Sequence, residues 1–198
     1  MIITFTTYSY LFGTPWGKHA FSNQVTKYMV SKYPDVKVIG QSVQYEFKQM
    51  RYSSTLTTEE IEFHVRVNNN GTLEDDYYLS TLNTKLTKVL TSLVKNVDQE
   101  GNARFIIEET NNDDKAILQS ELTPVLQAHS KIFIYLSKDI TNDENGLQTC
   151  YKILEGIKSK KIDGNIVFFF QKLPKVFIGY KQMQEIYTAE DIKKYLKN

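Results

Sequence analysis

Ile132-Phe133-Ile134-Tyr135-Leu136 is an unbroken apolar run, entered through Ser130-Lys131 and left through Ser137-Lys138-Asp139. Apolar residues at every position, with no polar alternate, predict a strand covered on both faces, as in a parallel sheet between two helical layers. Ile166-Val167-Phe168-Phe169-Phe170 repeats the pattern. Between the two runs, Leu147, Cys150, Tyr151, Leu154 and Ile157 recur at helical spacing. Strand, helix and strand in that order predict a crossover joining two parallel strands. Further out, Ala103 to Glu108 reads as a strand, and Ala116, Ile117, Leu122, Val125 and Leu126 as a helix. A short strand near Val176 to Gly179 and a terminal helix from Thr188 to Asn198 close the chain.

The amino-terminal half begins with the same alternation. Ile2 to Tyr8 is rich in β-formers, breaks at Phe12-Gly13-Thr14-Pro15-Trp16-Gly17, and is followed by Phe21, Val25, Tyr28 and Met29 on one helical face. That helix is expected to end near Tyr33-Pro34 and to feed a strand at Val36 to Gly40, again through a parallel crossover. Residues 61–67 differ: Ile61, Phe63, Val65 and Val67 alternate with Glu62, His64 and Arg66, the mark of a strand with one wet face. Asn68 to Gly71 reads as its turn, and Leu79, Leu82, Leu86, Val89, Leu90 and Leu93 as an amphipathic helix. The expected fold is α/β, with a mostly parallel central sheet and helices on both faces, in a single domain of residues 1–198.

Composition narrows the function classes. Twenty-four Lys and Arg against twenty-three Asp and Glu give a net charge of +1, so no broad field draws the chain to nucleic acid or anionic lipid, and such contact would be local. The single cysteine, Cys150, falls on a buried helical stripe and reads as a core thiol rather than a nucleophile. His19, His64 and His129 have no ligand-spaced partners, so no metal site is expected. The apolar start MIITFTTYSYLF lacks a preceding basic residue and is too short to span a bilayer; the chain is expected to be cytoplasmic, with no integral membrane segment.

The strand-loop-helix of Met1 to Val30, with Gly17-Lys18 entering the helix, resembles the P-loop opening of the ParA/MinD family of deviant Walker ATPases. Phe105-Ile106-Ile107-Glu108-Glu109-Thr110 is similar to that family's Walker B strand, Ala128 to Leu136 to the strand after it, and Ile166 to Gln171 to its last core strand. The resemblance implies a P-loop NTPase fold and places the nucleotide site at Gly13, Gly17, Lys18, His19, Glu109 and Gln171. The departures are chemical. The family's signature lysine is Gly13 here, and its two following glycines are Thr14 and Pro15, which removes a backbone donor from the phosphate cradle. The hydroxyl expected to hold Mg²⁺ is His19, a poor ligand for a hard cation. No catalytic residue is therefore assigned and no cofactor is expected. The resemblance then implies a pseudo-ATPase that positions or scaffolds protein partners in plasmid segregation, conjugation, pilus or secretion assembly, with a homodimer as an option.

Two alternatives stand beside it. One is an active partition ATPase using ATP and Mg²⁺, with phosphate on Lys18 and Mg²⁺ ordered through Glu109. The other is an unrelated α/β ligand-binding module. Lys158, Lys160, Lys161, Lys172, Lys175 and Lys181 form the local patch through which nucleic acid would be met; lysines at a helix carboxyl end are expected from the helix dipole, so the patch reads as a solvated helix end and nucleic acid is not the expected partner.

Overall fold

A computed structural model describes residues 13–14, 16–107, 130–137, 144–170 and 173–196. The chain divides into two compact units, with the division between Thr81 and Leu82.

In the first unit, helix α1 (Gly17–Lys32) precedes four strands, β1 (Gly40–Glu46), β2 (Arg51–Thr57), β3 (Glu62–Val67) and β4 (Leu73–Asp75), in the order β1-β2-β3-β4. Every pair is antiparallel. Short connections dictate this, since parallel neighbours need a crossover of a dozen residues or more. Residues 47–50 turn β1 into β2 with Met50 at φ 51°, and Asn68 closes β3–β4 by accepting the Asn70 and Thr72 amides on Oδ1. Phe21, Val25 and Met29, spaced by four along α1, bury with Leu56, Phe63 and Val65 in one core. The half-polar alternation read at residues 61–67 is the β3 pattern, with Phe63 and Val65 buried and Glu62, His64 and Arg66 exposed.

The second unit begins within helix α2 (Tyr77–Lys95), followed by β5 (Asn102–Ile107), β6 (Ser130–Leu136), helix α3 (Glu144–Ser159), β7 (Asn165–Phe170), β8 (Leu173–Ile178), a short helix α4 (Tyr180–Met183) and a 3₁₀ helix (Ala189–Tyr195). The sheet order is β5-β6-β7-β8; β6 and β7 run parallel across α3, and both outer pairs are antiparallel.

These sheets correct the expected architecture. A mostly parallel central sheet with helices on both faces, the P-loop NTPase arrangement, is replaced by one antiparallel and one mixed sheet; among the described residues parallel pairing is confined to β6–β7. The strand expected at Val36 to Gly40 begins at Gly40, and its described neighbour is the antiparallel β2; the other strand of the expected crossover lies outside the described residues. The terminal helix is a 3₁₀ turn over Ala189–Tyr195. The expected strand Ile2 to Tyr8 and the expected helix around Ala116 to Leu126 lie outside the described residues.

One further correction concerns the strands read as covered on both faces. Ile132, Ile134 and Leu136 are buried, as are Ile166, Phe168 and Phe170, but Phe133, Val167 and Phe169 are half-buried and Tyr135 is 39% exposed. Ala103, Phe105 and Ile107 of β5 and Val176 and Ile178 of β8 extend the buried face. It matches the buried stripes of α2 (Leu86, Leu90, Val94) and α3 (Leu147, Cys150, Ile153, Leu154, Ile157), and the two helices meet where Leu93 lies against Gly156. Among the described residues, helices cover this sheet on one side.

Both edges of this sheet are tied off. On the outer side of β5, the Phe105 amide donates to Thr87 Oγ1 (2.9 Å) and the Ile107 amide to Asn83 Oδ1 (3.1 Å), while Thr91 Oγ1 donates to the Ala103 carbonyl (3.1 Å). Asn83, Thr87 and Thr91 recur every fourth residue, one polar stripe of α2 that substitutes for a neighbouring strand. At the other edge, Val176 of β8 bridges to Leu196.

Candidate functional site

The loop that the sequence singles out lies in the first unit. The Gly17 amide donates to the Thr14 carbonyl (2.9 Å), and α1 starts at Trp16 with no side-chain cap. Gly13, Gly17, Lys18 and His19 are thus brought together at the amino end of a helix, with Lys18 and His19 exposed. Gly13 takes φ 75°, a left-handed conformation that glycine adopts without a Cβ clash.

The space freed by the glycines is occupied from β2. A Cβ on either Gly13 or Gly17 would run into the Tyr52 hydroxyl, which donates to the Thr14 carbonyl (3.3 Å). Tyr52 also stacks on Phe21 (centroids 5.9 Å, 26°) and packs on Tyr45 (4.9 Å). Where a phosphate cradle uses glycines to let an anion approach backbone amides, this loop uses them to seat a phenol. Glu109 and Gln171, the remaining residues of the expected nucleotide site, lie outside the described residues.

Asp75 is the most heavily bonded charge of the first unit. Its carboxylate accepts from Tyr28 Oη (2.5 Å) and Lys32 Nζ (2.7 Å) on one oxygen, and from Tyr33 Oη (2.9 Å) and the Tyr77 amide (3.0 Å) on the other. Burial pushes its carboxyl up, but the bonds from Lys32, Tyr28, Tyr33 and Tyr77 together outweigh that and hold it below its ordinary value. Burial and the neighbouring carboxylate push the Tyr28 phenol up to about 12. All four acceptor positions are filled by donors of the fold, so the cluster is a clasp between α1 and the end of β4.

In the second unit, Tyr151, Leu154, Lys158 and Ile186 line a groove of about 500 Å³. Its polar groups are spent on the chain itself: Tyr151 Oη donates to the Tyr187 carbonyl (2.5 Å) and Lys158 Nζ to the Ile186 carbonyl (2.6 Å). Lys158 therefore braces the segment before the 3₁₀ helix. Lys160, Lys161 and Lys181 of the sequence patch are exposed; Lys172 and the Lys175 side chain lie outside the described residues. Cys150 is fully buried, and burial raises its thiol well above the ordinary value. Among the described residues no group of three or more His, Cys, Asp or Glu is arranged to hold a metal ion, and no helix is long and apolar enough to cross a membrane.

The strongest surface feature is the side of the second sheet opposite its helices. Register sets three cross-strand rows: Asn102-Tyr135-Phe169, Arg104-Phe133-Val167-Phe177 and Ile106-Lys131-Asn165. None of these ten residues is fully buried. Tyr135 and Phe169 stack at 4.9 Å with 21° between ring planes, and Phe133 lies 6.0 Å from Phe169, so three rings form one patch on the two central strands. Arg104 and Lys131 flank the rings, and no row contains an acidic residue. Asn165 is held in place, its amide donating to the Ser130 carbonyl (3.4 Å) and its oxygen accepting the Tyr180 amide (3.1 Å). The signal for this face was present in the sequence as large apolar residues at alternate positions, Phe133, Tyr135, Val167 and Phe169, but the unbroken apolar runs hid which alternates face inward.

Comparison with models of known protein families, with curated proteins and with solved structures gave no match.

Proposed function

We propose that this chain is a binding protein without nucleotide chemistry, and that its working surface is the side of the second sheet opposite the described helices. The observation that carries the proposal is the patch of Phe133, Tyr135 and Phe169, three large rings on central strands, none of them fully buried. Contiguous apolar surface of this kind costs solubility and is characteristic of sites that meet a partner. Aggregation through edges is guarded against, since the Asn83-Thr87-Thr91 stripe and the Leu196 bridge occupy both edges of the same sheet.

Further support comes from the amino-terminal loop. With Tyr52 seated over Gly13 and Gly17, an incoming phosphate would have to displace a stacked ring before reaching the helix amides. The plasmid, conjugation or secretion settings rest on the ParA/MinD resemblance alone and are not part of this proposal.

The test is site-specific photo-cross-linking. Benzoylphenylalanine in place of Tyr135, at the centre of the patch, is compared with the same residue in place of Val30, which is 67% exposed on α1. Discrete adducts at position 135 and none at position 30 are expected, and nuclease or protease treatment of the adduct reports its class. Absence of adducts at 135, or the same adducts at both positions, would refute the proposal. Calorimetric titration with Mg-ATP gives an independent check: submillimolar affinity abolished by Lys18→Ala would restore a nucleotide-binding function.

A further inference from the structure

We infer that Asn70 is a site of spontaneous covalent modification, converted to aspartate and isoaspartate through attack by the Gly71 backbone nitrogen. The site lies in the first unit and is independent of the binding role proposed for the second sheet. In the reaction a bond forms between the Gly71 nitrogen and Asn70 Cγ, the Cγ–Nδ2 bond breaks, and Nδ2 leaves as ammonia with the Gly71 amide proton. Water then opens the succinimide so formed. Cleavage at Cγ gives aspartate, and cleavage at the main-chain carbonyl gives isoaspartate, whose backbone runs through Cγ. Water is the only co-reactant.

The chain has two Asn-Gly dipeptides, Asn70-Gly71 and Asn145-Gly146, and in both the second residue lacks the side chain that would crowd ring closure. The fold separates them. Closure needs the Asn Cβ and the next nitrogen nearly eclipsed about the Cα–C bond. Asn145 and Gly146 lie in the first turn of α3, where a helical ψ of about −42° holds those atoms apart. Asn70 is exposed at the tip of the β3–β4 turn. Gly71 takes φ 78°, and nothing lies within 4 Å of where a Cβ would stand, so the ring has room. Of the consecutive asparagines in this turn, Asn68 Oδ1 accepts the Asn70 and Thr72 amides (both 3.0 Å) and Asn69 Oδ1 accepts from Arg51 (3.0 Å), whereas the Asn70 side chain makes no hydrogen bond among the described residues. The nucleophile is restrained by one bond, from the Gly71 amide to the Asn68 carbonyl (3.1 Å). An exposed hydrogen bond of ordinary net strength favours its closed form by roughly 2- to 10-fold, so the fold slows Asn70 by no more than that.

Both products add a carboxylate and cancel the net charge of +1, but they differ in backbone. Isoaspartate inserts a methylene into a turn closed by the Gly71 amide on the Asn68 carbonyl, the Thr72 amide on Asn68 Oδ1 and the Asn68 amide on the Thr72 carbonyl (2.8 Å). Strand β4 follows at once and pairs with β3 only through Val67–Leu73, Arg66–Glu74 and Val65–Asp75. The added length displaces Leu73 from its register, so the isoaspartyl form loses stability that the aspartyl form keeps.

The experiment ages the full chain at neutral pH and body temperature, folded and in urea. Digests are resolved by chromatography with electron-transfer fragmentation, which separates aspartyl from isoaspartyl peptides. In the folded chain Asn70 should convert within about tenfold of its rate in the unfolded chain, while Asn145 lags Asn70 by more than about tenfold; in urea the two should convert at similar rates. Isoelectric focusing of the aged folded chain should show a more acidic band that Asn70→Gln prevents. The purified isoaspartyl form should unfold at lower urea than the parent, and Asn70→Asp should unfold with the parent. The inference falls if folding slows Asn70 by more than about tenfold, if Asn145 keeps pace with Asn70 in the folded chain, or if aspartate forms without isoaspartate, the mark of direct hydrolysis. Equal urea midpoints for the isoaspartyl form and the parent would overturn the effect on β4.

Discussion

Replacing Asp75 by Asn keeps the size of the side chain and tests how much the clasp between α1 and β4 contributes to stability. The carboxylate accepts four hydrogen bonds, two on each oxygen, and its side chain is 1% exposed. An asparagine has one acceptor oxygen, so two of the four donors would face an NH₂ group instead. Each buried donor left without an acceptor costs roughly 1–3 kcal/mol. Lys32 recovers part of its loss through water, since its side chain is 43% exposed. The expected destabilisation is therefore about 2–4 kcal/mol at neutral pH, read as the shift in urea midpoint at constant slope. The pH dependence has a fixed sign. Because the folded carboxyl lies below its ordinary value, its stabilising contribution is complete above an unfolded pKa of about 3.9 and disappears as pH falls through the lower, folded value. The gap between parent and Asp75→Asn should hold from pH 7 to about 5 and narrow only below about 4. A gap under about 0.5 kcal/mol at pH 7, or one that closes near neutrality, would refute the view that this carboxylate organises the unit.

Three other perturbations address separate links between sequence and structure. Thr87→Val removes the acceptor of the Phe105 amide on the outer edge of β5 and should cost about 1–3 kcal/mol; the exchange rate of that amide, measured by native-state hydrogen exchange, should rise, and Thr87→Ser should restore it. Gly13→Ala forces a Cβ into a left-handed backbone and against Tyr52, for a cost of about 1–2 kcal/mol. Adding Tyr52→Ala should recover part of that cost in a double-mutant cycle of urea melts, whereas simple additivity would show that Tyr52 does not fill the loop. Cys150 should resist alkylation in the folded chain at any pH where the fold persists and react only on global unfolding; modification by a thiol reagent without loss of helical circular dichroism would contradict its burial.

What could be read from the sequence follows the strength of local pattern. The alternation of Phe63 and Val65 with charged neighbours, the Asn68–Gly71 turn and the apolar stripes of α2 and α3 are strong period signals, and each appears as an element at that place. Strand β2, Arg51–Thr57, was not visible: Arg-Tyr-Ser-Ser-Thr-Leu-Thr has few apolar residues, and only Ser54 and Leu56 are buried. Missing it removed the hairpin partner of β1 and left a parallel crossover as the natural way to connect the remaining elements. Local order alone cannot distinguish that crossover from a meander, because the choice depends on which strands become neighbours. The glycine-rich loop was ambiguous for a related reason. Gly13 and Gly17 signal a close approach, but the approaching group, Tyr52, lies 35 residues beyond Gly17 in the chain.

The runs at 132–136 and 166–170 connect the misread fold to the candidate surface. A strand buried on one side normally declares itself by polar residues at alternate positions, and that cue is absent when the outward residues are Phe133, Tyr135, Val167 and Phe169. By period alone such a strand is indistinguishable from one enclosed by two helical layers. Only the neighbours decide, and here the described helices supply buried stripes for one face. The apolar run that suggested a second helical layer is thus the same chemical fact as an aromatic face that no described helix covers. If the face were merely a flaw in solubility, polar replacements there would be neutral or beneficial. Tyr135→Ser leaves the buried alternates Ile134 and Leu136 untouched and should change stability by less than about 1 kcal/mol, yet abolish the cross-linking of a probe placed at Phe169. Unchanged cross-linking with improved solubility would assign the rings to packing alone.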